Sequence, residues 1–221
     1  MSRAYALVFS KGRVIKGAVA MEKEIILASK SPRRIELLTK AGFDIVVFPA
    51  DIEEIVEPGL RPHEVVMSLA KQKAHAVRDA IDAGSAIDAD TDIIVAADTI
   101  VYLNEIIGKP SNREDAERIL MHLSGKKHQV YSGVAIVTSN AEIIFAEQTD
   151  VFFKSYTPED IQDYLDTDEP YDKAGAYAIQ GYFGRFIDHI EGDYDNVMGL
   201  PVSSLVRYIA PYLFKDNKTD V

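Results

Sequence analysis

The sequence has no cysteine. Disulfides, zinc–thiolate centres and thiol catalysis are therefore excluded, and the absence fits a reducing, cytoplasmic setting. No apolar run approaches the ~18–20 residues needed to span a bilayer. Familiar catalytic signatures are also missing: there is no GxxxxGK[ST] loop, no GxGxxG and no GxSxG elbow. His63, His75, His122, His128 and His189 stand without ligand spacing, which disfavours a zinc hydrolase and a Ser/His/Asp hydrolase. Positive charge is scarce as well. Lys and Arg number 24 against 35 Asp and Glu, a formal net charge of −11. Such a surface repels a nucleic-acid backbone, so no DNA or RNA partner is expected. A small anion is still admissible, because a pocket's potential can oppose the global one.

What is present suits a globular protein. The 221 residues are 47% hydrophobic and 27% charged, enough for one sizeable domain or two small ones. The first twenty residues carry Arg3, Lys11, Arg13 and Lys16 and no acid. They lack the apolar region and cleavage site of a signal peptide; a mitochondrial presequence is the minor alternative. The expectation is an N-terminal extension over 1–20, able to add an edge strand, a single domain over 21–215 and a short tail over 216–221.

Short apolar runs alternate with helical patterns. Strands are expected at 24–29, 44–51 and 92–104. Helices are expected at 31–42, with Ser31 as N-cap, Pro32 at N1 and Gly42 closing it, at 61–82, and at 112–125, capped by Asn112 and ended by Gly125. Residues 83–92 read as an acidic loop. Strands 128–140 and 142–156 meet at Ser139-Asn140 as a hairpin. A helix with Thr157 as cap and Pro158 at N1 is expected over 157–170. Strands and glycine turns follow over 173–201, then a helix over 202–214 broken near Pro211. The order suggests an α/β fold: a mixed twisted sheet with flanking helices, and a ligand cleft between two lobes.

Four places contradict the packing pattern around them. Arg33 and Arg34 in ASKSPRR sit at a helix N-terminus, where the macrodipole favours acids. Either they are solvated and paired with Glu36 or another acid, or they complete a phosphate site with the free N–H groups of the helix. Lys73 shares a helical stripe with Val66, Leu69 and Val77. Its ammonium either snorkels to solvent or enters an anionic site. Asp98 shares a strand face with Ile94 and Ala96. A carboxylate there needs a cation, a metal or a strand end. It fits the carboxyl-end location of sheet sites if the strand bends at Asp98-Thr99. Glu53-Glu54 follow a strand, as a solvated acidic loop or as Mg²⁺ ligands.

Taken in order, these places resemble the Maf family of nucleoside triphosphate pyrophosphatases. The resemblance runs from about residue 24 to about 206. It rests on LASKSPRR, IEE, LAKQKA, AADTIV, GKP, LSGKKHQVYSGVA, DKAGAYAIQG and VMGLP. It implies an elongated body with a deep cleft, similar to inosine-triphosphatase-like enzymes. It also implies hydrolysis of the α–β phosphoanhydride of a nucleotide to monophosphate and pyrophosphate, with a divalent metal (Mg²⁺, Mn²⁺ or Co²⁺). The family positions fall on Ser29, Arg33, Glu54, Lys73, Asp98, Lys109 and Gln180, with Arg34 in the same motif. Arg33, Thr99 and Gln180 match the branch acting on dTTP and UTP rather than the one preferring 7-methyl-GTP. The resemblance implies Asp98 as general base, Glu54 with Asp98 as metal ligands, and Arg33, Lys73 and Lys109 as phosphate contacts. Ser29 would complete the phosphate cradle, and Gln180 and Thr99 would read the pyrimidine. A homodimer is implied too. The alternatives are a nucleotide-binding regulator of cell division with minor catalysis, and a pyrophosphatase of the inosine-triphosphate type.

Overall fold

The computed structural model describes residues 7–10, 13–16, 24–84 and 93–213. Strands β1 (Leu7–Ser10) and β2 (Arg13–Lys16) pair antiparallel in a two-stranded sheet of their own, not as an edge of the main sheet. The rest of the 1–20 segment, most of the acidic 83–92 loop and the 216–221 tail lie outside the described residues.

The body begins with β3 (Ile25–Leu27), α1 (Pro32–Lys40), β4 (Ile45–Val47), α2 (Pro62–Asp82), β5 (Ile93–Tyr102) and β6 (Ile106–Ile107). It continues with α3 (Arg113–Leu123), β7 (Lys127–Val137), β8 (Glu142–Phe153), α4 (Gln162–Leu165), β9 (Ile187–Glu191), α5 (Tyr194–Met198) and α6 (Val202–Ile209). The sheet has seven strands in the order β4-β3-β5-β7-β8-β9, with β6 added to β5. β4, β3 and β5 are parallel; β5, β7, β8 and β9 are antiparallel.

Side-chain alternation along the strands assigns the helices to opposite faces. Ile25, Leu27, Ile93, Val95 and Ala97 pack with Leu37 and Leu38 of α1 and with Leu205 and Ile209 of α6. The intervening Ile26, Ile94 and Ala96 pack with Ala70, Ala74, Val77 and Ile81 of α2. A separate core joins the far ends of β5, β7 and β8 to α3, through Val101, Val130, Val151, Ile119, Leu120 and Leu123. The three long strands therefore run through both lobes. Gly133 of β7 permits the close packing of α2, since a Cβ there would lie 2.2 Å from the Val66 carbonyl oxygen.

The cleft follows from register. β7 covers one edge of β5 from Ile94 to Tyr102. β3 and β6 share the other edge, at Ile93–Val95 and at Val101–Tyr102. Among the described residues, no strand pairs with residues 96–100 on that edge. The chain leaves β3 at this gap and starts α1. Because β4 and β5 flank β3 with crossovers on opposite faces, this is a topological switch point, where α/β sheets bind ligands.

Several sequence expectations are corrected. The 157–170 helix is three pieces: 3-10 turns at Glu159–Ile161 and Glu169–Asp172 around the four residues of α4. Thr157 is not its cap; its N–H and hydroxyl both donate to Asp160 Oδ2. Pro158 precedes the first turn, and Thr167 Oγ1 donates to the Tyr164 carbonyl, closing α4 instead of extending it. Only one strand, β9, forms within 173–201. Ser31 has the extended backbone of an N-cap, but its side chain makes no capping hydrogen bond. Asp98 and Thr99 do not mark a strand end: both lie within β5, whose register with β7 runs unbroken through them. The hairpin at Ser139-Asn140 forms, with Val137 opposite Glu142, and α6 gives way to a 3-10 turn at Ala210–Tyr212.

Candidate active site

A cavity of about 650 Å³ opens at the switch point. Ser29, Arg33, Arg34, Glu54, Lys73, Asp98, Thr99, Lys109 and Gln180 all line it. Lys30 and Lys173 bring the cationic side chains on its wall to six, against the three carboxylates of Glu54, Asp98 and Asp172. A chain of net charge −11 thus has a cationic cleft, the local reversal that a small polyanion requires.

On one face of β5, Asp98 continues the row of Ile94 and Ala96 toward α2. Lys73 meets it there. Its neighbours on the helix stripe, Val66, Leu69 and Val77, are buried, so the ammonium is directed at the sheet. Lys73 Nζ lies 2.6 Å from Asp98 Oδ1 and 2.8 Å from Glu54 Oε1. The Lys73 and Asp98 side chains are each 14% exposed and that of Glu54 45%. Lys73 therefore does not snorkel, and Glu54 rather than Glu53 turns inward.

The opposite face of β5 carries a second polar cluster. Arg34 donates from Nε to the Gly199 carbonyl at 2.9 Å, and from its two terminal nitrogens to Ser29 Oγ at 3.1 Å and Thr99 Oγ1 at 3.2 Å. Thr99 Oγ1 also lies 2.8 Å from Ser132 Oγ, and Ser132 donates to the Asn196 carbonyl at 3.0 Å. Burial lowers the Arg34 pKa from its ordinary value, opposed by nearby Asp98. Arg33, by contrast, has one ion-pair partner among the described residues, Asp172 Oδ2 at 3.8 Å, and its side chain is 26% exposed. No acid occupies the first turn of α1. Lys109 and Gln180 are exposed on the far lobe.

The family model described as "Maf-like protein" matches residues 24–211. The chain belongs to this family. The matched span holds every residue lining the cavity. The dTTP/UTP pyrophosphatase of Bacillus anthracis (strain CDC 684 / NRRL 3495) is 45% identical over 191 residues, 86% of this chain and 96% of the relative. The dTTP/UTP pyrophosphatase of Bacillus cereus (strain ATCC 10987 / NRS 248) is 46% identical, over 86% of this chain and 90% of the relative. The one from Bacillus thuringiensis subsp. konkukian (strain 97-27) is 45% identical, over 86% and 96%.

In this Maf-like protein the cleft also contains groups that sequence reasoning missed. Lys173, 11% exposed, pairs with Asp172 and donates to the Glu169 carbonyl at 2.6 Å. Tyr177 lines the cavity, and its hydroxyl lies 2.8 Å from Nε2 of the fully buried His128. Burial pushes the His128 pKa down to about 4. Asp172, Lys173 and Tyr177 lie within YDKAGAYAIQG, but no helix or strand period there indicates which side chains face inward. Left-handed backbone at Gly175 and Ala176 (φ 71° and 59°) sets their directions. The Gly175 N–H donates to the Gly108 carbonyl at 3.0 Å, tying this segment to the Lys109 loop.

Proposed function

We propose that this Maf-like protein hydrolyses dTTP and UTP, or modified pyrimidine nucleotides, to the monophosphate and pyrophosphate. The observation that carries the reading is the convergence of Lys73, Asp98 and Glu54 within a cationic cleft of nucleotide size. Its similarity to dTTP/UTP pyrophosphatases supports the same substrates.

The chemistry follows from the chain's own groups. Asp98 accepts a proton from water as its oxygen attacks the α-phosphorus. The bond from that phosphorus to the bridging oxygen breaks, and pyrophosphate leaves. General-base help of this kind contributes ~10²–10⁴ in rate. Arg33, Lys73 and Lys109 offset the charge of the phosphates, Arg33 with a planar fork suited to them. Arg34 and Ser29 line the cradle, with the Arg34 guanidinium held by Ser29, Thr99 and the Gly199 carbonyl. Gln180, with one donor and one acceptor, reads the base edge. Thr99 supports that wall through Arg34 and Ser132.

The donor set fits a divalent metal. Among the described residues no three His, Asp or Glu side chains gather, but the Glu54 and Asp98 carboxylates already converge on one cation, the Lys73 ammonium. Mg²⁺ typically takes one or two carboxylates and completes its shell with water and phosphate oxygens. Glu54 and Asp98 would hold it, and its charge would stabilise the leaving pyrophosphate. Mg²⁺, Mn²⁺ and Co²⁺ all suit such oxygen ligands.

The proposal includes a cytoplasmic homodimer, on the family resemblance. The division-regulator alternative gains nothing from the geometry: two carboxylates converging on one ammonium inside a cationic cleft are more than binding a nucleotide needs. The test is a nucleotide panel with metal present, scoring released pyrophosphate. Fastest release from dTTP and UTP is expected. Fastest cleavage of CTP, 7-methyl-GTP or a purine triphosphate would overturn the substrate assignment.

A further inference from the structure

Glu54 stands in a segment that has little else to hold it. Residues 53–59 are all exposed, Ile55 at 66% and Val56 at 51%, so hydrophobic burial does not fix the chain here. Among the described residues, no backbone–backbone hydrogen bond reaches residues 49–56. Two adjacent side chains of α2 make the connections instead. Lys73 pairs with the Glu54 carboxylate at 2.8 Å. Gln72 brackets the next residue: its Oε1 accepts from the Ile55 N–H at 3.0 Å and its Nε2 donates to the Ile55 carbonyl at 2.8 Å. The amide also donates to Ser68 Oγ at 3.2 Å, one turn back on α2.

The two connections differ in what happens when substrate enters. The Lys73–Glu54 pair is part-exposed, of a kind worth little by itself, and Asp98 competes for the same ammonium. A triphosphate in the cleft offers Lys73 stronger anionic partners. The Gln72 bonds go to backbone atoms and do not depend on charge. A side-chain amide matched to both the N–H and the C=O of one residue reproduces the pairing of a β-ladder.

We propose that Gln72 is a positioning residue for Glu54: its amide clamps residue 55 so that the Glu54 carboxylate stays at the cleft when Lys73 turns to the phosphates. The inference rests on the pyrophosphatase reading and adds a residue to it. It predicts that losing the clamp weakens metal binding rather than nucleotide binding.

The test compares wild type with Gln72→Ala and Gln72→Glu, the latter keeping an acceptor but losing the donor. Free Mn²⁺ is measured by electron paramagnetic resonance in the presence of a dTTP analogue with a methylene bridge between the α- and β-phosphorus atoms. Amide hydrogen exchange over residues 52–57 and the KM for dTTP at saturating Mn²⁺ are measured alongside. Loss of two net hydrogen bonds predicts roughly tenfold weaker Mn²⁺ binding in Gln72→Ala, faster exchange confined to 52–57, unchanged KM and unchanged Tm, with Gln72→Glu between the two. Unchanged Mn²⁺ affinity in Gln72→Ala, beside normal wild-type turnover, overturns the clamp alone. Parallel loss of Tm, KM and Mn²⁺ affinity also overturns it, by making the residue merely structural. A wild-type protein with neither turnover nor Mn²⁺ binding overturns the pyrophosphatase reading and the clamp with it.

Discussion

Asp98 and Thr99 are adjacent in β5 and belong to different clusters on opposite faces of the sheet. Asp98 Oδ1 meets Lys73 Nζ at 2.6 Å on the α2 side. Thr99 Oγ1 meets Ser132 Oγ at 2.8 Å and Arg34 at 3.2 Å on the α1 side. One peptide bond thus separates the proposed general base from a residue tied to Arg34 and Ser132, and the two are separable by substitution.

Asp98→Asn should reduce pyrophosphate release from dTTP by ~10²–10⁴ with little change in Tm, because Lys73 keeps Glu54 as a partner. Thr99→Val should do the reverse. It strips an acceptor from Arg34 and a hydrogen-bond partner from Ser132, costing about 1–3 kcal/mol of stability, with a smaller effect on turnover. Steady-state kinetics and urea unfolding of the two variants decide. Near-wild-type turnover in Asp98→Asn would falsify the general-base assignment.

The two arginines of SPRR should separate in the same way. Arg33→Ala removes a part-exposed side chain whose one ion pair is 3.8 Å long. Turnover should fall with Tm nearly unchanged. Arg34→Ala removes three hydrogen bonds at once and should cost about 2–4 kcal/mol. Arg34→Lys should recover only part of that, because an ammonium cannot serve three directions as the planar fork does. Equal loss of stability in Arg33→Ala and Arg34→Ala would contradict this division.

Gly133 sits directly across the ladder from Asp98. A Cβ at 133 would lie 2.2 Å from the Val66 carbonyl oxygen and 2.6 Å from the Met67 nitrogen. Both are backbone atoms, so α2 must move. Lys73 lies about two turns along the same helix. Gly133→Ala should therefore cost about 1–3 kcal/mol and also reduce turnover, as Lys73 draws away from Asp98. Calorimetry and turnover on the same preparation test it; full activity would show that the height of α2 does not set the site.

Acid should destabilise the protein partly through His128. Its pKa falls from 6.5 to about 4 on folding, because the buried ring cannot be solvated as a cation. Between those values the unfolded chain binds a proton that the native state does not, so stability rises with pH. The contribution is fully present above about pH 6.5 and is lost as pH falls to about 4. It amounts to roughly 3 kcal/mol. His128→Gln, which keeps a polar atom near Tyr177 without titrating, should flatten the slope of unfolding free energy over that window. An unchanged slope would assign the acid sensitivity to other groups.

Much of this molecule is legible in its sequence because the relevant information is local. Period-two and period-3.6 patterns aim side chains to one face or another, and that sufficed to bound α2 at 61–82, one residue from its observed start, to find the 139–140 hairpin and to mark Asp98 and Lys73 as charges on apolar faces. Glycine turns with no such period gave no direction, which is why Lys173 and Tyr177 escaped, and the 157–170 segment broke where Thr167 closes onto the Tyr164 carbonyl. Partner identity was not local either. Whether Arg34 reached a phosphate or a carbonyl depended on Gly199, 165 residues away in the chain. Only the closing of α5 and its Gly199 turn onto the sheet brought that acceptor within 2.9 Å. The sequence by itself determined which residues break the apolar pattern, since burying an unpaired charge is costly wherever it occurs. The tertiary structure decided which of them the fold satisfies and which it leaves facing the cleft.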